Sequence, residues 1–128
     1  MKQLVIFDLD GTLLDTISDL GAATNYALRS FGYPEHNLSS YTKFVGNGIT
    51  RLIERSLPED DKTPETVAKV LEKFTEYYNE HKTDLTKPYP GIPELLKELE
   101  SMGLKLAVAS NKYQAAVVSL IRHYFPDI

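Results

Sequence analysis

The chain has 128 residues, of which 42% are hydrophobic and 25% charged, and its formal net charge is -4. This length predicts one domain of average size with room for an insertion, and the ordinary composition argues against collagen-like, disordered and repeat proteins. Cysteine is absent, which excludes disulfide scaffolds, thiol nucleophiles and zinc-cysteine clusters. Because no basic run stands out, we expect no nucleic-acid partner.

The first residues lack the pattern of a targeting segment. Only four apolar residues, Leu4 to Phe7, precede Asp8, and this run is too short for the apolar region of a signal peptide. No stretch of the sequence approaches the roughly 20 apolar residues that a membrane-spanning helix requires. We therefore expect a cytoplasmic protein with no membrane partner.

Two short apolar runs predict strands, at residues 4–7 (LVIF) and 104–109 (LKLAVA). The first run is continuous and contains β-branched and aromatic residues, which is typical of a strand buried on both faces in a parallel sheet. A helical pattern follows each run along the chain, and strands that lead into helices indicate a parallel α/β sheet.

The segment between the two runs shows helical spacing and no strand pattern. Apolar residues recur three to four positions apart, and glycine, proline or capping residues bound the segments. The predicted helices cover residues 15–33, 40–44, 49–57, 64–82, 93–102 and 114–124, and a linker covers 87–91. This order predicts an α/β core, built from 1–14 and 85–128, that is split by a helical insertion at 15–84.

Two acidic residues, Asp8 and Asp10, follow the first predicted strand in the sequence DLDGT. Residues two apart in an extended segment project to the same side, so both carboxylates should face the crevice where open α/β sheets bind ligands. Paired carboxylates favour Mg²⁺, and beside a cation one can attack an electrophile while the other moves a proton. The alternative is a plain turn or a calcium loop, but Thr12 and Leu14 break the calcium-loop pattern.

The sequence VIFDLDGTLLDT (5–16) resembles the first motif of the haloacid dehalogenase-like hydrolase superfamily, most of whose members are Mg²⁺-dependent phosphatases. LKLAVASNK (104–112) resembles the second motif, and the helical insertion is similar to the α-helical cap of the superfamily. VGNGITRLIERSL (45–57) and the segment 89–112 are similar to phosphoglycolate phosphatases. The resemblance implies a Rossmann-like parallel-sheet core with an inserted helical cap.

The same resemblance implies roles for five residues. Asp8 would be the nucleophile that forms an aspartyl-phosphate, and Asp10 would protonate the leaving oxygen and then activate water. The Asp8 carboxylate and the Asp10 backbone carbonyl would hold Mg²⁺. Ser110, the backbone N–H of Asn111 and Thr12 would bind the phosphoryl oxygens. A hydroxyl and an amide near a helix N-terminus favour anion binding on physical grounds as well, although a helix cap is the alternative for Ser110.

Four residues of the insertion are weaker candidates for substrate recognition: Gly46, Asn47, Gly48 and Arg55. The glycine-containing segment could shape a loop over the substrate, or it could simply separate two helices. Arg55 could reach an anionic substrate, although arginines on amphipathic helices are commonly solvated. Lys112 could contact a phosphate group, but at a helix start we expect its side chain to face solvent.

The predicted function is Mg²⁺-dependent hydrolysis of a small phosphorylated metabolite, with phosphoglycolate as the leading substrate. Alternatives within the superfamily are a sugar-phosphate mutase and a pyrophosphatase, whereas a dehalogenase would leave Asp10 without a role. The later motifs of the superfamily, a lysine and an acidic pair, have no counterpart here, so we expect a truncated chain with weak or absent turnover. The further alternatives are an inactive fragment and a catalyst that residues of another chain complete. The hydrophobic edge left at residues 4–7 predicts self-association.

Overall fold

The computed structural model describes residues 3–110 and 112–126. The contacts between Cα atoms divide the chain into two compact units, one of Met1–Asp15 with Lys87–Ile128 and the other of Thr16–Thr86. The sequence-based prediction places the corresponding boundaries after residues 14 and 84. We call the first the α/β unit and the second the helical unit, and describe each by itself.

Ten helices and strands follow one another along the described chain. They are β1 (Leu4–Phe7), β2 (Leu14–Asp15), α1 (Ile17–Ser30), α2 (Leu38–Phe44), α3 (Ile49–Ser56), α4 (Pro64–His81), β3 (Lys87–Pro88), α5 (Ile92–Ser101), β4 (Lys105–Val108) and α6 (Gln114–Tyr124). A single 3₁₀ turn at Glu59–Asp61 separates α3 from α4. The bounds of β1 and α6 agree with the prediction, and the other predicted helices differ by at most three residues at an end, which is common at fraying helix ends.

The strands β1 and β4 form a parallel pair, in which Leu4 lies opposite Lys105 and Phe7 lies opposite Val108. The Ala109 N–H donates to the Phe7 carbonyl oxygen at 2.8 Å and extends the pairing beyond β4. Because the strands are parallel and in this register, the segments that follow Phe7 and Val108 leave the sheet at the same edge, which is the ligand-binding edge of α/β proteins. The predicted parallel sheet is confirmed.

The core of the α/β unit is apolar and includes the segment that follows β1. Its fully buried members are Leu9, Leu13, Leu14, Leu96, Leu120 and Phe125. The first three come from that segment, while α5 and α6 supply Leu96 and Leu120. Full burial of one leucine side chain is worth about 1.5–3 kcal/mol, so three leucines anchor the loop that carries the candidate acids.

The strand β1 is not buried on both faces, so this part of the prediction is wrong. Leu4 and Ile6 are 57% and 61% exposed, whereas Val5 and Phe7 are half-buried. The physical reason is that Leu4 and Ile6 lie two residues apart and share one face of the strand, and no described element covers that face, whereas pairing with β4 satisfies only the backbone. Self-association through this edge stays a prediction.

A two-residue antiparallel pairing joins β2 to β3, with Leu14 opposite Pro88 and Asp15 opposite Lys87. The sequence does not predict this pairing because a two-residue strand is too short to show an alternating pattern. The predicted linker at 87–91 therefore begins with a strand. The pairing lies within the α/β unit, and its residues Asp15 and Lys87 directly precede and follow the helical unit in the sequence.

The helical unit contains α1 to α4 and no strand. The Thr63 side chain caps α4 by accepting the Thr66 N–H at 3.2 Å, and Pro64 occupies the first helical position, as the sequence predicts. Helix α4 packs against α1, and their largest buried side chains include Leu28, Phe74 and Tyr78. Within residues 3–110 and 112–126, no helix has the length and apolar character needed to cross a bilayer.

A buried carboxylate ties the two ends of the helical unit together. Asp19, in the first turn of α1, is 3% exposed. Its oxygens accept the N–H of Leu85 at 3.0 Å, the N–H of Thr86 at 2.8 Å and the hydroxyl of Thr86 at 2.6 Å. A buried carboxylate requires donors of this kind because an unpaired buried charge is costly. The burial of Asp19 is not predicted from the sequence, since its donors lie at the far end of the unit.

Candidate active site

A tight loop follows β1 and carries the candidate acids. The N–H groups of Leu13 and Leu14 both donate to the Leu9 carbonyl oxygen at 3.1 Å, and the Gly11 N–H donates to the Leu14 carbonyl oxygen at 2.9 Å. Gly11 has a φ of 81°, a backbone conformation that glycine adopts at little cost. The glycine therefore allows the sharp turn immediately after the second acid.

Asp8 and Asp10 flank Leu9 in the sequence, and the Leu9 side chain is fully buried. Leu9 lies at the turn itself, since its carbonyl oxygen accepts the N–H groups of Leu13 and Leu14, and its buried side chain anchors the backbone between the two acids. Asp8 is exposed, and its Oδ1 accepts the Leu9 N–H at 2.8 Å. The Asp10 side chain is 30% exposed, but its Oδ1 atom is buried. The two acids thus have different surroundings.

Lys112 is buried beside Asp10, so the prediction that it faces solvent is wrong. Its side chain is 1% exposed, and its Nζ lies 2.8 Å from Asp10 Oδ1. The contact is an ion pair without the angles of a hydrogen bond, and Asp10 Oδ1 accepts no hydrogen bond from the described residues. The prediction failed because it treated Lys112 as part of a solvated helix end, whereas α6 begins only at Gln114. A buried lysine needs an acidic partner, and sequence proximity did not reveal one.

Ser110 does not cap α6, so that alternative is wrong. The residue that precedes α6 is Tyr113, which makes no side-chain capping bond. The Ser110 Oγ instead accepts the backbone N–H of Lys112 at 3.1 Å, which leaves its hydroxyl hydrogen able to donate to an anion. The neighbouring candidate, Asn111, lies outside the described residues. Burial raises the pKa of the Tyr113 phenol, which keeps that side chain neutral.

The ion pair between Lys112 and Asp10 brings together the loops that follow β1 and β4. Thr12 lies in the first of these loops and is exposed, so its hydroxyl is accessible to a ligand. The structure therefore places Asp8, Asp10, Thr12 and Ser110 in the two loops at one edge of the sheet, with Lys112 beside Asp10.

The four weaker candidates lie in the helical unit, around the loop between α2 and α3. Gly46 and Gly48 have φ values of 124° and 88°, so the path of this loop favours glycine at both positions. The Arg55 guanidinium donates to the Phe44 carbonyl oxygen at 2.9 Å and to Asn47 Oδ1 at 2.7 Å. Arg55 therefore supports the loop, and a substrate-binding role for these residues stays a prediction.

The donor atoms at the sheet edge are suited to Mg²⁺. In the described ranges, no group of three or more histidine, cysteine or acidic side chains lies together as a ready metal cage. Mg²⁺ does not need such a cage, because it commonly binds through one or two carboxylates and retains waters and substrate oxygens. The Asp8 carboxylate and the Asp10 backbone carbonyl offer hard oxygen atoms, which fit Mg²⁺ better than a softer transition metal.

Residues 5–125 match the family model of haloacid dehalogenase-like hydrolases. The chain belongs to this family. It is 40% identical over 112 residues to the phosphoglycolate phosphatase of Aquifex aeolicus, and the match covers 88% of this chain and 50% of that relative. It is 37% identical over 122 residues to the phosphoglycolate phosphatase of Cereibacter sphaeroides, with coverage of 94% and 56%.

Solved structures of the haloacid dehalogenase-like family share the fold. The crystal structure of a protein from Lactobacillus delbrueckii subsp. bulgaricus superposes with a TM-score of 0.88 at 36% identity, covering 98% of this chain and 61% of that one. This likeness and the parallel strand pair confirm the predicted α/β fold. The chain spans about half the length of the two curated relatives.

Proposed function

We propose that this haloacid dehalogenase-like protein hydrolyses phosphomonoesters through an aspartyl-phosphate on Asp8, with Mg²⁺ as cofactor and phosphoglycolate as substrate. The observation that carries the proposal is the 2.8 Å contact between Lys112 Nζ and Asp10 Oδ1, because it joins the loop of the two acids to the loop of Ser110. Family membership supports the reaction class, and the names of the two relatives support the substrate.

Asp8 is the proposed nucleophile. The Leu9 N–H binds its Oδ1 and fixes the orientation of the carboxylate, while the exposure of the side chain gives a substrate access to it. A carboxylate oxygen attacks phosphorus in line with the leaving oxygen, so that the new bond forms as the bond to the leaving oxygen breaks. The product of this step is an acyl phosphate on Asp8.

Asp10 is the proposed acid and base. In the first step its carboxyl group donates a proton to the leaving oxygen, and the alcohol departs. In the second step its carboxylate accepts a proton from the water that attacks phosphorus, which breaks the bond to Asp8 and releases inorganic phosphate. The partial burial of the Asp10 side chain suits a group that must act on a bound substrate rather than on bulk water.

The negative charge of the phosphoryl group requires stabilisation in both steps. The Ser110 hydroxyl can donate to one phosphoryl oxygen, and the exposed Thr12 hydroxyl can donate to another. The Asp8 carboxylate and the Asp10 backbone carbonyl would hold Mg²⁺, whose charge screens the phosphoryl dianion when it is bound. We propose the helical unit as the cap that the sequence predicts.

The test is an assay of the purified chain against phosphoglycolate, glucose 1-phosphate, pyrophosphate and p-nitrophenyl phosphate, with Mg²⁺ or with EDTA. We expect phosphate release to be slow, because the later lysine and acidic pair of the superfamily have no counterpart here, but to be fastest with phosphoglycolate and to disappear when EDTA removes the metal. A preference for pyrophosphate, or equal rates with Mg²⁺ and with EDTA, would contradict the proposal. Conversion of glucose 1-phosphate to another sugar phosphate without phosphate release would indicate a mutase instead.

A further inference from the structure

We propose that Lys112 is a positioning residue that acts through Asp10: its ammonium group holds the buried Oδ1 of the Asp10 side chain in place, so that Oδ2 is directed to the substrate and can donate and then accept the proton. The inference rests on the proposed function, because it gives Lys112 a part in the same reaction. It adds a residue that neither the sequence analysis nor the comparisons with relatives assign.

The burial of Lys112 shows that its ammonium group is held in place. The side chain is 1% exposed, and a lysine with this little exposure loses most of its hydration and rotamer freedom. Such a cost is offset where a carboxylate lies close by, and Asp10 Oδ1 lies at 2.8 Å. Asp10 Oδ1 is itself buried and accepts no hydrogen bond from the described residues, so the ion pair is the interaction that compensates its burial.

Lys112 is fixed at both ends. Its backbone N–H donates to Ser110 Oγ at 3.1 Å, and its Nζ reaches Asp10 Oδ1. One residue therefore spans the distance between the proposed phosphate-binding hydroxyl and the proposed proton-transfer group. A small displacement of a reacting group can lower a catalytic rate by orders of magnitude, so a side chain that fixes this distance affects turnover without touching the substrate.

The pairing also distinguishes the two acids of the DLDGT sequence. Asp8 is exposed and is bound by the adjacent Leu9 N–H, whereas Asp10 is bound by a buried cation from the loop after β4. Two residues of the same type thus receive different partners. This difference agrees with the two proposed roles. The Asp8 carboxylate must reach the substrate, whereas the Asp10 side chain must keep one orientation.

A double-mutant cycle on kcat tests whether Lys112 acts through Asp10. The variants are Lys112→Met, Lys112→Arg, Asp10→Asn and the combination of Lys112→Met with Asp10→Asn. We expect Lys112→Met to lower kcat by about 10- to 100-fold with little change in KM, and Lys112→Arg to recover part of the loss. In the Asp10→Asn background, Lys112→Met should cost less than about twofold. An unchanged kcat in Lys112→Met, or equal losses in both backgrounds, would overturn the proposal.

The same four variants are then compared by urea unfolding, which needs no turnover. The quantity compared is the equilibrium constant of unfolding. We expect its change in the double variant to differ from the product of the two single changes by a factor of at least about five. The matched control is the exposed pair Arg51 and Glu54, whose side chains are 62% and 35% exposed and whose cycle should deviate by about a factor of two or less. Additive effects at Lys112 and Asp10 would overturn the inference. Clear coupling in a chain without phosphatase activity would refute the proposed function but support the ion pair.

Discussion

The Asp8→Asn variant is expected to lose phosphatase activity, with kcat reduced by at least about 1000-fold, since removing a nucleophile generally costs this much or more. The amide of asparagine keeps the size of the carboxylate and an oxygen that can accept the Leu9 N–H, but it cannot form the acyl phosphate. The measurement is steady-state phosphate release from phosphoglycolate, accompanied by urea unfolding to show that the variant is folded.

The control for Asp8→Asn is Asp60→Asn. Asp60 is an exposed residue of the 3₁₀ turn and has the same charge and the same substitution. We expect this variant to retain the kcat of the parent chain. If Asp8→Asn also retained it, Asp8 would not be the nucleophile, and the proposed reaction would need another group.

Replacement of Asp19 by Ala should lower the free energy of unfolding of the helical unit by about 2–5 kcal/mol, since hydrogen bonds to a charged group contribute about 1.5–3 kcal/mol and a buried donor left unsatisfied costs about 1–3 kcal/mol. The reason is that alanine leaves the N–H groups of Leu85 and Thr86 and the Thr86 hydroxyl without the acceptor they have now. The measurement is urea unfolding followed by far-UV circular dichroism.

Asp84→Ala provides a matched comparison in the same unit. Asp84 pairs with His81 at 2.7 Å, but the two side chains are 51% and 40% exposed. Exposed ion pairs contribute little, so we expect the stability of this variant to fall by about 1 kcal/mol or less. Equal losses in the Asp19 and Asp84 variants would show that the buried carboxylate does not tie the ends of the helical unit.

The parts of the fold that the sequence predicted best have strong local signals. The strand β1 coincides with a continuous apolar run that ends at an acid, and α6 follows helical spacing from Gln114 to Tyr124. The cap of α4 by Thr63 also follows from adjacent residues. In each case the information lies within one segment, so periodicity and capping preferences suffice to predict the structure.

The features that the sequence did not reveal depend on partners distant along the chain. Lys112 is buried because Asp10, near the start of the sequence, lies against it. Asp19 is buried because Leu85 and Thr86 return to the first turn of α1. Propensity describes each residue among its sequence neighbours, so it gives no indication that either charged side chain is buried.

The exposure of Leu4 and Ile6 has a similar cause. An apolar run indicates that a strand can be buried on both faces, but burial also requires elements that cover those faces. In the described part of the chain, β1 has β4 as its one paired neighbour. An apolar groove of about 570 Å³ in the same unit is lined by residues such as Leu106, Val117 and Ile121 and does not include the candidate acids.

The central claim is that Asp8 carries the phosphoryl group during turnover. Its most direct test is mass spectrometry of the chain after it is mixed with phosphoglycolate and Mg²⁺, quenched in acid within the first turnovers and digested. We predict a phosphoryl group on Asp8 in the peptide that follows β1, and none in the same peptide of the Asp8→Asn variant. Phosphate release without a phosphorylated Asp8 at any quench time, or a phosphoryl group on another residue, would contradict the account.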